Sequence, residues 1–217
     1  MSSIEWSILT IGHLSMNKYW GDTQRKRGPL CTSTLLRTDG GYILVDPSVH
    51  PPHMSDLLND QAGIRVEDVT MVYLTHFHGD HRFGLEAFPH ARWVMPQAEI
   101  DYQRERAAEE EHRLLDRLEP AGHEIFPGLS TLHTPGHTPG LTSLLFDWRG
   151  HRVAIAADAA MTEDFFRARD GYHNSTDMEQ VRMSIDVLAQ EATILIPGHG
   201  NYFVPAWAPT SEETSRA

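Results

Sequence analysis

The stretch Thr75-His76-Phe77-His78-Gly79-Asp80-His81 packs three imidazoles and a carboxylate into seven residues. It follows directly on Val69 to Leu74, an apolar run with the pattern of a buried strand, so the donors emerge at a strand's C-terminal end. Gly79 permits a tight turn, and one loop can then aim several donor atoms into a small volume. Imidazole and carboxylate are ligands that suit zinc and other first-row metals, while the lack of any nearby cysteine argues against a thiolate structural site. An open, catalytic site is the better reading. Three further candidates, His137, Asp158 and His199, each follow a predicted strand and sit among Gly, Pro or Ala residues that suit short loops. Ligands carried by successive strand ends can converge on one edge of a sheet.

The series His76, His78, Asp80, His81 has the form H-x-H-x-D-H, and the later candidates stand in characteristic surroundings. His137 lies in Thr134-Pro135-Gly136-His137-Thr138-Pro139-Gly140, Asp158 in Ala156-Ala157-Asp158-Ala159, and His199 in Pro197-Gly198-His199-Gly200. In these motifs and their order the sequence resembles the metallo-β-lactamase superfamily. The resemblance implies an α/β (α+β) fold, the four-layer αβ/βα sandwich, with metals between the sheet edges. It also implies that His76, His78 and His137 hold one divalent metal, that Asp80, His81 and His199 hold the other, and that Asp158 bridges them. Zinc is the first expectation, with iron or manganese as options. A hydroxide between the metals would be the nucleophile, and Asp80 the catalytic residue that orients it or passes a proton to the leaving group. Leu44-Val45-Asp46-Pro47 resembles the family's Asp-Thr-Gly turn, which would make Asp46 a support for the histidine loop.

Fold alone does not name a substrate. The segments Leu132 to Leu145 and Asp158 to Phe165 are similar to acyl-homoserine lactonases and to hydroxyacylglutathione hydrolases (glyoxalase II). Leu141 stands where those families have a histidine, and Met161 where the lactonases have a tyrosine. The presence of Asp158, with Cys31 far upstream, sets β-lactam hydrolysis aside. Cleavage of an ester, lactone or thioester of a small molecule is the leading expectation. A phosphodiesterase or ribonuclease is the alternative, and an iron-dependent persulfide dioxygenase the alternative from another class. His133 and His173 are candidate substrate contacts, being near a predicted ligand or on the Glu163 to Ser175 segment expected to cover the pocket. Phe165 and Phe166, soon after Asp158, are first of all packing residues but candidates to line the pocket as well.

Bulk properties narrow the rest. A formal net charge of −12 over 217 residues argues against broad nucleic-acid binding. Arg25-Lys26-Arg27 is the one dense basic cluster, read as a solvated loop because Gly21, Asp22, Gly28 and Pro29 surround it. The single cysteine, Cys31, excludes an intrachain disulfide and reads as a small buried hydrophobe. With no apolar run near bilayer length and no signal-like start, no membrane association and a cytoplasmic location are expected. One catalytic domain over residues 1–208 is expected, with a disordered tail over 209–217. A mostly solvated helix is predicted over Gln97 to Glu119, a hairpin turn at Gly40-Gly41, and a capping box at Thr176 and Glu179.

Overall fold

The computed structural model describes residues 4–205, so the expected tail lies outside the described residues. Its strands fall into two sheets. The first runs in chain order: β1 (Glu5–Thr10), β2 (Ser33–Thr38), β3 (Gly41–Val45), β4 (Val69–Tyr73), β5 (Arg92–Met95) and β6 (Glu119–Pro120). β1, β2 and β3 form an antiparallel meander, whereas β3, β4, β5 and β6 are parallel. The second sheet holds β7 (Glu124–Phe126), β8 (Leu129–His133), β9 (Thr142–Trp148), β10 (His151–Ala157) and β11 (Ile194–Pro197) in the order β11-β10-β9-β8-β7. β11 is parallel to β10.

Successive side chains on a strand point to opposite faces, and here both faces are apolar. Ile43, Val45, Met71, Tyr73 and Val94 pack toward the second sheet, where Leu144, Phe146, Val153, Ile155 and Ile196 meet them. The alternate residues, Leu44, Val72, Trp93 and Met95, pack outward against α1 (Pro51–Ala62), α3 (Gln97–Arg104) and α4 (His112–Leu115) through Met54, Leu58, Ile100, Leu114 and Leu115. On the far side, Val181, Ile185 and Leu188 of α6 (Met178–Glu191) cover Leu145, Ala154 and Leu195. The order helices, sheet, sheet, helix is the four-layer sandwich that the motifs imply.

Three local expectations change. The helix expected over Gln97 to Glu119 is broken into α3, a short 3₁₀ turn at Glu109–Glu111, and α4. Its buried apolar residues, Ile100 at one end and Leu114, Leu115 and Leu118 at the other, leave a gap too wide for one continuous apolar stripe. The hairpin turn falls on Asp39-Gly40, and Gly41 opens β3 with φ 110°. The cap of α6 is Asp177, whose carboxylate accepts the Glu179 and Gln180 amides, while Thr176 Oγ1 donates to the Gly136 carbonyl. That bond ties the helix start to the loop carrying His137.

Cys31 is fully buried, with Sγ 3.5 Å from the Asp46 carbonyl oxygen, and burial pushes its thiol up to about 12. The thiolate is the reactive form. Iodoacetamide at mildly alkaline pH is therefore expected to leave the folded protein unlabelled and to modify Cys31 only after denaturation; rapid labelling of the native protein, read by mass spectrometry, would contradict this burial.

Candidate metal centre

The centre is built outward from Asp46. The residue immediately follows β3, lies in the left-handed region at φ 51° and is almost completely buried. Its carboxylate accepts the Thr75 amide at 2.9 Å and the Thr75 hydroxyl at 2.7 Å, and Oδ2 lies 2.9 Å from His81 Nδ1. Because a carboxylate can only accept, the Thr75 and His81 protons point at Asp46. Thr75 Oγ1 is then left to accept from His76 Nδ1, 3.1 Å away. His199 Nδ1 faces the Leu30 carbonyl at 2.9 Å, again an acceptor only. These bonds fix one tautomer for His76, His81 and His199, with the Nε2 lone pair aimed inward.

The inward atoms form two groups. His76, His78, His137 and Asp158 offer atoms within 4.8 Å of one another, and so do Asp80, His81 and His199. In the first, His78 Nδ1 lies 3.1 Å from His76 Nε2 and 2.8 Å from His137 Nε2. Asp158 stands between the groups. Its Oδ2 is 3.1 Å from His137 Nε2 and 3.7 Å from His76 Nε2, while Oδ1 is 3.2 Å from His81 Nε2 and 3.4 Å from His199 Nε2. Asp80 Oδ2 closes the second group, 3.7 Å from His199 Nε2. His78 opens the one-turn helix α2 (Gly79–Arg82), which carries Asp80 and His81, whereas Asp158 immediately follows β10 and His199 comes one residue, Gly198, after β11.

The electrostatics fit cations. Burial holds His76 and His78 below the ordinary imidazole range and His137 down to about 3, so these rings are neutral donors. Against burial, which favours the neutral acid, His81, His199 and His137 hold the Asp158 carboxyl well below the usual carboxylate range. Although burial opposes it, His81 is raised by Cys31 and then by Asp158 and Asp46, and His199 by Asp158. His81 Nε2 and Asp158 Oδ1 are buried without a hydrogen-bond partner. Two orphaned buried polar atoms side by side are costly unless a third group joins them, and a divalent cation meets that need.

Above the centre lies a cavity of about 330 Å³, lined by ligand candidates including His78, Asp80 and His199 and walled by Leu14, Arg25, Arg27, Met161, Tyr172 and His173. Of the four residues expected to contact substrate, only His173 lines it. His133 is exposed on β8 with Nε2 2.9 Å from the Pro139 carbonyl oxygen. Phe166, on α5 (Glu163–Arg167), packs in the α6 core at 5.3 Å from the Phe203 ring. Phe165 backs Leu14, Met161 and Tyr172 and lines a smaller neighbouring cavity. Both phenylalanines are drawn into packing because a short amphipathic helix must bury its apolar side.

Conversely, Arg25 and Arg27 belong to the cavity wall, although the surrounding glycines and proline suggest a merely solvated loop. Tyr172 reads as a packing residue, yet its hydroxyl sits 3.1 Å from Ser15 Oγ at the cavity wall. Glu99 gives no signal in the sequence either. It is fully buried on α3, accepting from the Phe77 amide at 3.3 Å and from Gln103 Nε2 at 2.8 Å. It thereby braces the histidine loop from behind.

The chain belongs to the metallo-beta-lactamase superfamily, whose family model matches residues 27–199. An N-acyl homoserine lactonase of a Bacillus species is 28% identical over 151 residues, 64% of this chain and 59% of that protein. The chain thus spans somewhat under two thirds of that relative. Metallo-beta-lactamase domain-containing protein 1 of Xenopus laevis is 31% identical over 167 residues, 74% of this chain and 67% of the relative. Among solved structures, the dizinc quorum-quenching lactonase AidC, in complex with a product, superposes with a TM-score of 0.66 at 19% identity, covering 83% of this chain and 79% of that one. No helix among the described residues is long and apolar enough to cross a membrane.

Proposed function

We propose that this protein is a binuclear metal-dependent hydrolase that cleaves an ester, lactone or thioester of a small molecule. The observation that carries the reading is the split of Asp158, one carboxylate oxygen toward each of two histidine-rich groups, at the floor of a small cavity. His76, His78 and His137 would hold one divalent ion, Asp80, His81 and His199 the other, with Asp158 shared and zinc the expected metal. Such a pair supplies Lewis acidity, which makes a hydroxide available near neutral pH and polarises the scissile carbonyl.

The chain's own residues do the remainder. The hydrogen bonds to Asp46, Thr75 and Leu30 keep the imidazoles in register, so no reorganisation is needed as charge develops. Asp80 is half-buried and lines the cavity, so its carboxylate can take the nucleophile's proton and hand it to the leaving oxygen or sulfur. The lactonase relatives favour carboxyl chemistry, and the cavity volume suits a small molecule.

The test is elemental analysis followed by a panel of lactone, thioester, carboxyl ester and phosphodiester substrates. Two metal equivalents with turnover of a carboxyl substrate are expected. Cleavage of the phosphodiester alone, or one iron with oxygen uptake in the presence of a persulfide, would replace the proposal. His78→Ala is expected to lower turnover more than about 100-fold, beyond what loss of a group supporting a ligand costs. Its far-UV circular dichroism should be unchanged, because His78 follows the strand and lies outside the core clusters; undiminished turnover would contradict the assignment.

A further inference from the structure

The described chain has few uncommitted cations. Apart from Arg25, Arg27 and Arg37, every lysine and arginine among the described residues makes an ion pair or a side-chain hydrogen bond. Two of those three line the cavity over the metal centre. In a chain of net charge −12 that placement is against the general balance. The loop holding them is well fixed. His13 and Leu30 exchange amide hydrogen bonds at 2.7 and 3.1 Å, the Lys26 amide donates to the Ser15 carbonyl at 2.9 Å, and His13 Nε2 lies 3.1 Å from the Gly28 carbonyl oxygen. Lys26 itself turns to Asp22 and is not part of the lining. Arg25 and Arg27, on either side of Lys26, both line the cavity.

Guanidinium is the group of choice for gripping carboxylate or phosphate, presenting several donors in a planar fork. The ligand candidates form the buried floor, whereas the two arginines are exposed at the entrance. We infer that the substrate carries an oxyanion, carboxylate or phosphate, which Arg25 and Arg27 bind at the cavity entrance while its scissile bond lies over Asp158 and Asp80. The inference rests on the hydrolytic reading above and narrows its substrate class to anionic esters, lactones or thioesters.

The experiment compares three nitrophenyl esters of similar length, with a methyl, a carboxylate or a phosphate at the far end. They are tested on the metal-loaded wild type, on Arg25→Gln/Arg27→Gln and on Lys26→Gln. The wild type is expected to favour an anionic ester over the methyl ester by about 10-fold or more in kcat/KM, carried by KM, as charge-assisted hydrogen bonds imply. That ratio should shrink with added salt, collapse in the double arginine variant and persist in Lys26→Gln, which removes a charge outside the cavity. The better anionic arm identifies the oxyanion.

Calorimetric binding of the corresponding anilides reads the same contrast without turnover. A binding preference with no ester cleaved would overturn the hydrolytic reading and keep the anion site. Equal treatment of charged and uncharged probes by the wild type would overturn the anion site, as would a ratio that survives loss of both arginines or falls equally in Lys26→Gln.

Discussion

Asp158→Asn is expected to reduce bound metal from two equivalents to one or fewer and to cut kcat/KM by about 10²- to 10³-fold or more, since unpairing a buried charge costs about 3–5 kcal/mol. The substitution preserves shape and removes one negative charge, so it acts on the centre and spares the core. In the native arrangement Oδ1 serves His81 and His199 while Oδ2 serves His137 and His76. An amide has one acceptor oxygen, so whichever way it is turned, one group faces an NH₂ that repels a cation. His199 also loses the carboxylate that raises it most, and His81 one of the two carboxylates that face it. Metal stoichiometry by elemental analysis and steady-state kinetics on the same preparation measure the effect. A variant retaining two equivalents and full turnover would show that the carboxylate does not join the two groups.

What could be read in advance differs between the ligands and their surroundings. The ligand candidates were legible because each occupies a short motif with unusual composition, and because apolar runs such as Val69 to Leu74 mark strands that deliver them. Asp46 was legible only through the resemblance of Leu44-Val45-Asp46-Pro47 to the family's Asp-Thr-Gly turn. The Leu30 carbonyl that orients His199 was not, since a backbone acceptor 169 residues away leaves no mark in side-chain pattern. Arg25, Arg27 and Tyr172 escaped because their roles depend on how a long loop folds back over the sheet edge, and local composition there says only loop or packing. Phe165 and Phe166 are packing residues, as they read first of all, and do not line the cavity over the centre. Nearness to Asp158 in sequence suggested the cavity, but hydrophobic burial directs both rings into packed cores. The broken helix after Gln97 has a similar cause, in that many charged residues at helical spacing cannot replace a continuous apolar face.

Gly198→Ala is expected to damage the centre from the backbone side, with loss of metal binding and a destabilisation of about 1–3 kcal/mol, the usual range for overpacking. Gly198 lies between β11 and His199, its amide donating to the Ala157 carbonyl at 2.8 Å and the Ala160 carbonyl at 3.1 Å, its own carbonyl accepting from the Thr32 amide at 2.7 Å. The backbone is thus pinned on both sides. A Cβ added there would overlap Asp158 Oδ1 and fall 2.9 Å from the Ala157 carbonyl carbon. Ala157 already sits at φ 45°, a conformation unfavourable for a residue with a side chain, which leaves that segment little freedom to retreat. Relief must come either from rotating the Asp158 carboxylate away from its histidines or from prising β10 and β11 apart. Both lower metal stoichiometry and the melting temperature, the second the melting temperature more. Gly122→Ala is the control, because a Cβ there meets only the Glu124 carbonyl oxygen at 3.6 Å, ordinary contact. If Gly198→Ala binds two metals and melts like the control, close backbone approach to the carboxylate is not what positions Asp158.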